Sequence, residues 1–104
     1  MYGITVQFDQ MKVSSIRHKG LRRFLEKNDP SGLPHERLER IRRVLTALTS
    51  AATVEQMNTM PGWKVHPLKG SRAGTYAVAV SGNWRLTFWL KDGEIFDLDL
   101  EDYH

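Results

Sequence analysis

The hydrophobic positions change period along this chain. Tyr2, Ile4, Val6 and Phe8 alternate with polar residues, the period of a strand. Met11, followed by Lys12-Val13-Ser14-Ser15-Ile16, reads as a second natural starting point. Residues 1–10 therefore read as an N-terminal extension or an extra strand. Val13 and Ile16 flank a short extended piece. Over residues 21–27, Leu21, Phe24 and Leu25 fall at helical spacing, and Asn28-Asp29-Pro30-Ser31-Gly32 ends that helix. A second helix is expected from about Pro34 to Ser50. Leu38, Ile41, Val44, Leu45 and Leu48 form its apolar stripe, with Arg37, Arg40, Arg42 and Arg43 mostly outside it. Thr53 is placed to cap a further short turn through Met57.

From Trp63 onward the period is that of strands. Lys64-Val65-His66 is short and stops at Pro67. Tyr76, Val78 and Val80 alternate with small residues up to a turn at Ser81-Gly82-Asn83. Trp84, Leu86, Phe88 and Leu90 alternate with Arg85, Thr87 and Trp89. Asp92-Gly93 supplies a tight hairpin, and Phe96, Leu98 and Leu100 alternate toward the end. The pattern predicts an α+β domain spanning residues 1–104. Two N-terminal helices pack on one face of a small antiparallel, meander sheet, and the other face is left to solvent or ligand.

Composition narrows the chemistry. At 104 residues the chain suits one compact domain. It has no cysteine, which excludes a disulfide framework, a thiolate nucleophile and a zinc ribbon, and suits a cytoplasmic location. No apolar run reaches the roughly 20 residues of a membrane span, and no signal peptide is read at the N-terminus. The net charge of +3 is unevenly spread. Residues 12–43 carry ten Lys/Arg against four Asp/Glu, residues 44–91 five against one, and residues 92–104 none against six. A basic body with an acidic end attracts polyanions through the body. The same numbers also fit a solvated helix surface beside an acidic strand.

Alternation then assigns faces. If Trp84, Leu86 and Phe88 face the helices, Asn83 and Arg85 face the other way, about 6–7 Å apart along the strand. His66 falls on that side too, and Lys69 follows in the turn after it. An arginine, a lysine, a histidine and an asparagine thus converge on the open sheet face. Ordinary polar decoration of a half-exposed sheet is the competing explanation.

Four blocks carry a resemblance. His66-Pro67-Leu68-Lys69-Gly70 resembles the HPLKG segment of HigB-type toxins, in the RelE superfamily. Gly82-Asn83-Trp84-Arg85-Leu86-Thr87-Phe88 resembles their GNWR(L/I)TF strand. His18-Lys19-Gly20-Leu21 is similar to their HKGL. The chain closes on Asp102-Tyr103-His104, as many members do. The blocks keep the family's order from about Met11 to His104. Ser71 and Tyr76 depart from it, standing where an acidic residue and a tryptophan are frequent.

The resemblance implies a RelE-like fold and metal-free cleavage of mRNA in the ribosomal A site, through attack of the 2′-OH on the phosphate. It implies no cofactor, and a cognate HigA-type antitoxin with a helix-turn-helix fold. For that chemistry His66 and His104 serve as proton donor or acceptor. Lys69 and Arg85 stabilise the phosphate's developing charge. Asp102 holds an imidazole or accepts a proton, and Tyr103 stacks on a base or donates a proton. Asn83, Arg72 and the outward-facing Trp89 are candidate RNA contacts. Arg37, Arg40 and Arg43, with Arg22, Arg23 and Arg42, are candidates for ribosomal RNA backbone. Two alternatives stay open: a non-catalytic RNA- or protein-binding member of the fold, and a ribosome-independent ribonuclease.

Overall fold

A computed structural model describes residues 12–50 and 62–102. The expected strand in residues 1–10, the turn at Thr53–Met57, Tyr103 and His104 lie outside the described residues. In chain order the elements are β1 (Lys12–Val13), α1 (Lys19–Lys27), α2 (Leu38–Ser50), β2 (His66–Pro67), β3 (Thr75–Ser81), β4 (Trp84–Lys91) and β5 (Glu94–Asp102). A 3₁₀ turn at His35–Arg37 leads into α2, and another at Gly70–Arg72 leads toward β3.

The helices form where the periodicity places them. α1 begins two residues ahead of the apolar spacing because His18 caps it: its Nδ1 accepts the Leu21 amide at 3.1 Å. It ends at Asn28, whose left-handed backbone (φ 56°) returns its amide to the Phe24 carbonyl. Leu21 and Phe24 are buried, whereas Leu25 turns outward at 38% exposure. On α2, Ile41, Val44, Leu45 and Leu48 are buried. They join Val78, Val80, Leu86, Phe88, Ile95, Leu98 and Leu100 of the sheet in one cluster with Trp63. Each such side chain taken fully from water contributes about 1.5–3 kcal/mol.

The sheet order is β1-β5-β4-β3-β2. The pairs β2–β3, β3–β4 and β4–β5 are antiparallel, but β1 runs parallel to β5, with Lys12 opposite Glu94 and Val13 opposite Ile95. The expected purely antiparallel meander is therefore corrected to a mixed sheet. Alternation reports which face a residue takes and is silent on its neighbour's direction. A parallel neighbour needs a long crossover, and here the intervening chain contains both helices.

β5 departs from simple alternation. Thr87 pairs with Asp99 and Trp89 with Phe96, so β5 carries one extra residue across that step, with Asp97 at φ 54°. The bulge reverses parity. Leu98 and Leu100 face the core, but upstream of the bulge Ile95 is the buried residue. Phe96 turns to the opposite face, where it meets Trp89 edge-on with ring centres 5.4 Å apart.

Candidate functional site

Residues directly opposite in a sheet share a face. Tyr76, Val78, Leu86, Phe88 and Leu100 belong to the core side or pack against it. The alternate positions build the other surface. Across the strands, one row runs His66, Ala77, Thr87, Asp99, and the next runs Ala79, Arg85, Glu101. A third row joins Thr75, Trp89 and Phe96. The small Ala77 and Ala79 keep the ground low between His66 and β4. His66 and Arg85 thus lie on one face, with Cα atoms about 12 Å apart by strand spacing and rise.

The face is organised around Glu101. Arg72 donates to it through both terminal nitrogens, Nη1 to Oε1 at 3.0 Å and Nη2 to Oε2 at 2.6 Å. Arg85 donates to the same Oε1 from Nε at 3.3 Å and Nη2 at 3.1 Å. The Thr87 hydroxyl donates to Oε2 at 2.8 Å. Arg85 and Glu101 reach each other directly across β4 and β5. Arg72 arrives from the 3₁₀ turn between β2 and β3, so that turn is tied across β3 and β4 to β5. The bond from Arg72, reinforced by Thr87 and Arg85, overcomes partial burial and holds the Glu101 carboxyl down at about 2. The same bond raises Arg72 above the ordinary guanidinium value. Two guanidinium nitrogens on one oxygen lie within about 6 Å of each other. Without the carboxylate the two cations would repel by about 3 kcal/mol at an effective dielectric near 20, less where water screens them.

Beside this cluster is a groove of about 210 Å³, lined by Arg72, Thr75, Thr87, Trp89, Asp99 and Glu101, among others. Trp89 is 40% exposed there, an apolar ring at the edge of a polar recess.

His66 is exposed at the edge of the sheet. Its Nδ1 lies 2.7 Å from the Lys64 carbonyl oxygen. A carbonyl only accepts, so Nδ1 carries the hydrogen, and in the neutral ring Nε2 is the nitrogen with the lone pair. Lys64 is held in the left-handed region (φ 50°), a strained backbone for a residue with a side chain, and its carbonyl fixes this tautomer.

The other expected residues distribute as follows. Lys69 is exposed at the start of the turn that carries Arg72. Asn83 is exposed in the β3–β4 turn, ahead of β4 and off the sheet face. Asp102, the last residue of β5, pairs with Trp84 and so takes the opposite side from Arg85 and Glu101. Arg40 is engaged locally: its Nη2 donates to the Gly62 carbonyl at 3.1 Å and its guanidinium lies 5.8 Å from the Trp63 ring centre. Arg37 is half-buried, with its Nε shielded from solvent. Arg43 is exposed and only loosely paired with Glu39, at 3.8 Å. Arg42 lies over the Phe24 ring at 4.9 Å, and Arg22 donates to the Ile16 carbonyl at 2.7 Å.

Glu101 escaped the sequence reading because a carboxylate in an acidic terminal run looks like decoration. Its parity opposite Leu100, on the side of Arg85, was the available signal. The partnership with Arg72 had none, because 29 positions separate the two residues.

Residues 14–104 match the model of a family described as the RelE-like toxin of the type II toxin–antitoxin system HigB. The chain is 39% identical over 92 residues to a Proteus vulgaris protein named Endoribonuclease HigB, covering 88% of this chain and 99% of that one. Its fold is similar to that of YafQ in the Escherichia coli DinJ–YafQ toxin–antitoxin complex, with a TM-score of 0.54, 19% identity, and 89% and 92% of the two chains covered. It is likewise similar to the Staphylococcus aureus YoeB dimer, with a TM-score of 0.54, 15% identity, and 91% and 98% covered. The family match over nearly the whole chain and the level of identity to HigB place this protein in the HigB family of RelE-like type II toxins.

Proposed function

We propose that this toxin is an endoribonuclease that cuts mRNA in the A site of the translating ribosome, using its own side chains and no metal ion. The observation that carries the reading is the pair of arginines, Arg72 and Arg85, gathered on the open sheet face that also holds His66. The name of the Proteus vulgaris relative supports the activity.

In the reaction, the ribose 2′-oxygen forms a bond to the adjacent phosphorus and the bond from phosphorus to the 5′-oxygen breaks. One group takes the 2′-OH proton and another gives a proton to the departing 5′-oxygen. The products are a 2′,3′-cyclic phosphate and a 5′-OH end. His66 has Nε2 available for a proton, and His104 is its proposed counterpart, with Tyr103 donating or stacking. Proton transfer of this kind is worth about 10²–10⁴-fold. Lys69, Arg72 and Arg85 meet the charge that grows on the phosphate, the arginines through forked contacts. Trp89, with Phe96 against it, offers a ring to an unstacked base. Asn83 contacts RNA from the turn. Asp102, immediately before Tyr103 and His104 in the chain, holds an imidazole or accepts a proton. Exposed Arg43 suits ribosomal RNA backbone better than Arg40 or Arg37.

The DinJ–YafQ complex pairs a toxin of this fold with an antitoxin. A cognate HigA-type antitoxin with a helix-turn-helix fold is the proposed partner here, and the cytoplasm the proposed location. Among the described residues no helix is long and apolar enough to cross a membrane.

The test is to induce the protein in cells and map new 5′-OH ends on messages, then repeat the cleavage with purified components. Cuts in register with codons, present only with ribosomes, are expected. Efficient cutting of naked RNA would establish a ribosome-independent nuclease instead. The absence of new ends in arrested cells would leave a non-catalytic binding protein.

A further inference from the structure

We propose that Glu101 is the positioning residue of the arginine clamp: it holds Arg72 and Arg85 at one place on the sheet before RNA arrives and sets the clamp's net charge. The inference rests on the ribonuclease reading and adds a role that no reaction step requires of a carboxylate.

Geometry makes the case. Glu101 stands on the same row as Arg85, so their pairing is built into the register of β4 and β5. Arg72 comes from a turn outside those strands, and its forked bond to Glu101 ties that turn to β5. Thr87 fixes the carboxylate from below through Oε2, and the Thr87 side chain is itself buried. The carboxylate therefore cannot swing without losing the Thr87 bond, and neither arginine can swing without losing the carboxylate. Arg72 uses only its two terminal nitrogens on Glu101. Its Nε–H and the outer hydrogens of the fork point elsewhere, and its side chain is 41% exposed, open to an incoming phosphate.

Charge gives the arrangement a purpose. A phosphodiester carries one negative charge, and the in-line transition state spreads about two over its oxygens. Two arginines and one glutamate leave a single positive charge; Lys69 at the head of the Arg72 turn adds one, and Asp99, close enough to act on Arg72, takes one away. The net charge is small, so what favours the transition state is the fixed direction of the guanidinium donors. Without Glu101 the patch gains one positive charge and its arginines are no longer fixed. It then holds substrate at least as tightly while stabilising the transition state less, which lowers kcat and leaves KM unchanged or smaller. Because its carboxyl is held at about 2, Glu101 is an anion throughout the range in which ribosomes work.

The test compares purified wild-type protein, Glu101→Gln and Glu101→Asp in steady-state cleavage of mRNA on programmed ribosomes, with thermal melting of each. Glu101→Gln is expected to melt cooperatively at a lower temperature. Its kcat should fall about 10–100-fold, with KM unchanged or lower. The double variant with Arg72→Gln should be no slower than Arg72→Gln alone, because the two residues act as one unit. Wild-type kcat in folded Glu101→Gln, or a loss that appears only in KM, overturns the proposal. If Glu101→Gln does not fold, Glu101→Asp decides: its charge is kept but its reach is shortened, so a loss of kcat with KM retained supports positioning and unchanged kcat refutes it. A wild-type protein that cleaves nothing removes the ribonuclease reading and this inference together. An active wild type beside an equally active Glu101→Gln removes the inference alone.

Discussion

Arg72 and Glu101 meet as a fork on a carboxylate, at 2.6 and 3.0 Å, between a short turn and the last strand of the sheet. Glu101 titrates near 2 in the folded protein against an ordinary value of 4.5. A lowered acid contributes stability that is complete above the unfolded value and is lost as pH falls through the folded one. Its side chain is 22% exposed, so the shift corresponds to about 3 kcal/mol. Glu101→Gln should therefore be less stable than wild type by about that amount at pH 7. The gap should close between about pH 4.5 and pH 2. Urea melts across that range check it, and a gap independent of pH would contradict it.

Gly20 lies inside α1, where alanine ordinarily stabilises a helix by about 0.5–1 kcal/mol. Here a Cβ would sit 2.2 Å from the Gly32 carbonyl oxygen, and a backbone atom cannot step aside cheaply. Gly20→Ala should reverse the usual sign and destabilise by about 1–3 kcal/mol. A thermal melt reads this directly, and a raised melting temperature would show that α1 and the Gly32 loop are not in contact.

Arg40 and Arg43 are both on α2 but should behave differently. Arg40→Ala removes the bond to the Gly62 carbonyl and the contact over Trp63, so it should cost about 1–2 kcal/mol of stability. Arg43→Gln should leave the melt unchanged. It should weaken ribosome binding and reduce the slope of log affinity against log salt by about one. Equal salt slopes for wild type and Arg43→Gln would exclude Arg43 from the RNA contact.

Arg85→Ala and removal of Tyr103–His104 should each yield a folded protein that no longer arrests growth. Circular dichroism establishes the fold, and growth after induction at matched expression gives the result. Arrest equal to wild type from either variant would withdraw that group from the catalytic set.

Both helices and the three long strands were legible from periodicity alone. Leu21 with Phe24, and Ile41 through Leu48, repeat at helical spacing, and burial rewards whichever element gathers them on one side. The start of α1 was less legible, because a histidine is an unusual cap. On β5 the even alternation of Phe96, Leu98 and Leu100 misplaced Phe96. One extra residue at the Asp97 bulge sends its ring to Trp89 and buries Ile95 instead.

Local pattern by itself determined the elements, their faces and the placing of His66, Arg85 and Trp89 on the polar side, because side-chain direction follows backbone period within a few residues. The resemblance of the His66–Gly70 and Gly82–Phe88 blocks pointed to the family. Only the tertiary structure decided that β1 runs parallel to β5, that Arg40 is engaged with Trp63, and that Arg72 and Arg85 share Glu101. Those outcomes depend on contacts between segments distant along the chain. Such contacts are set by how the whole core packs, and no short window of sequence carries that information.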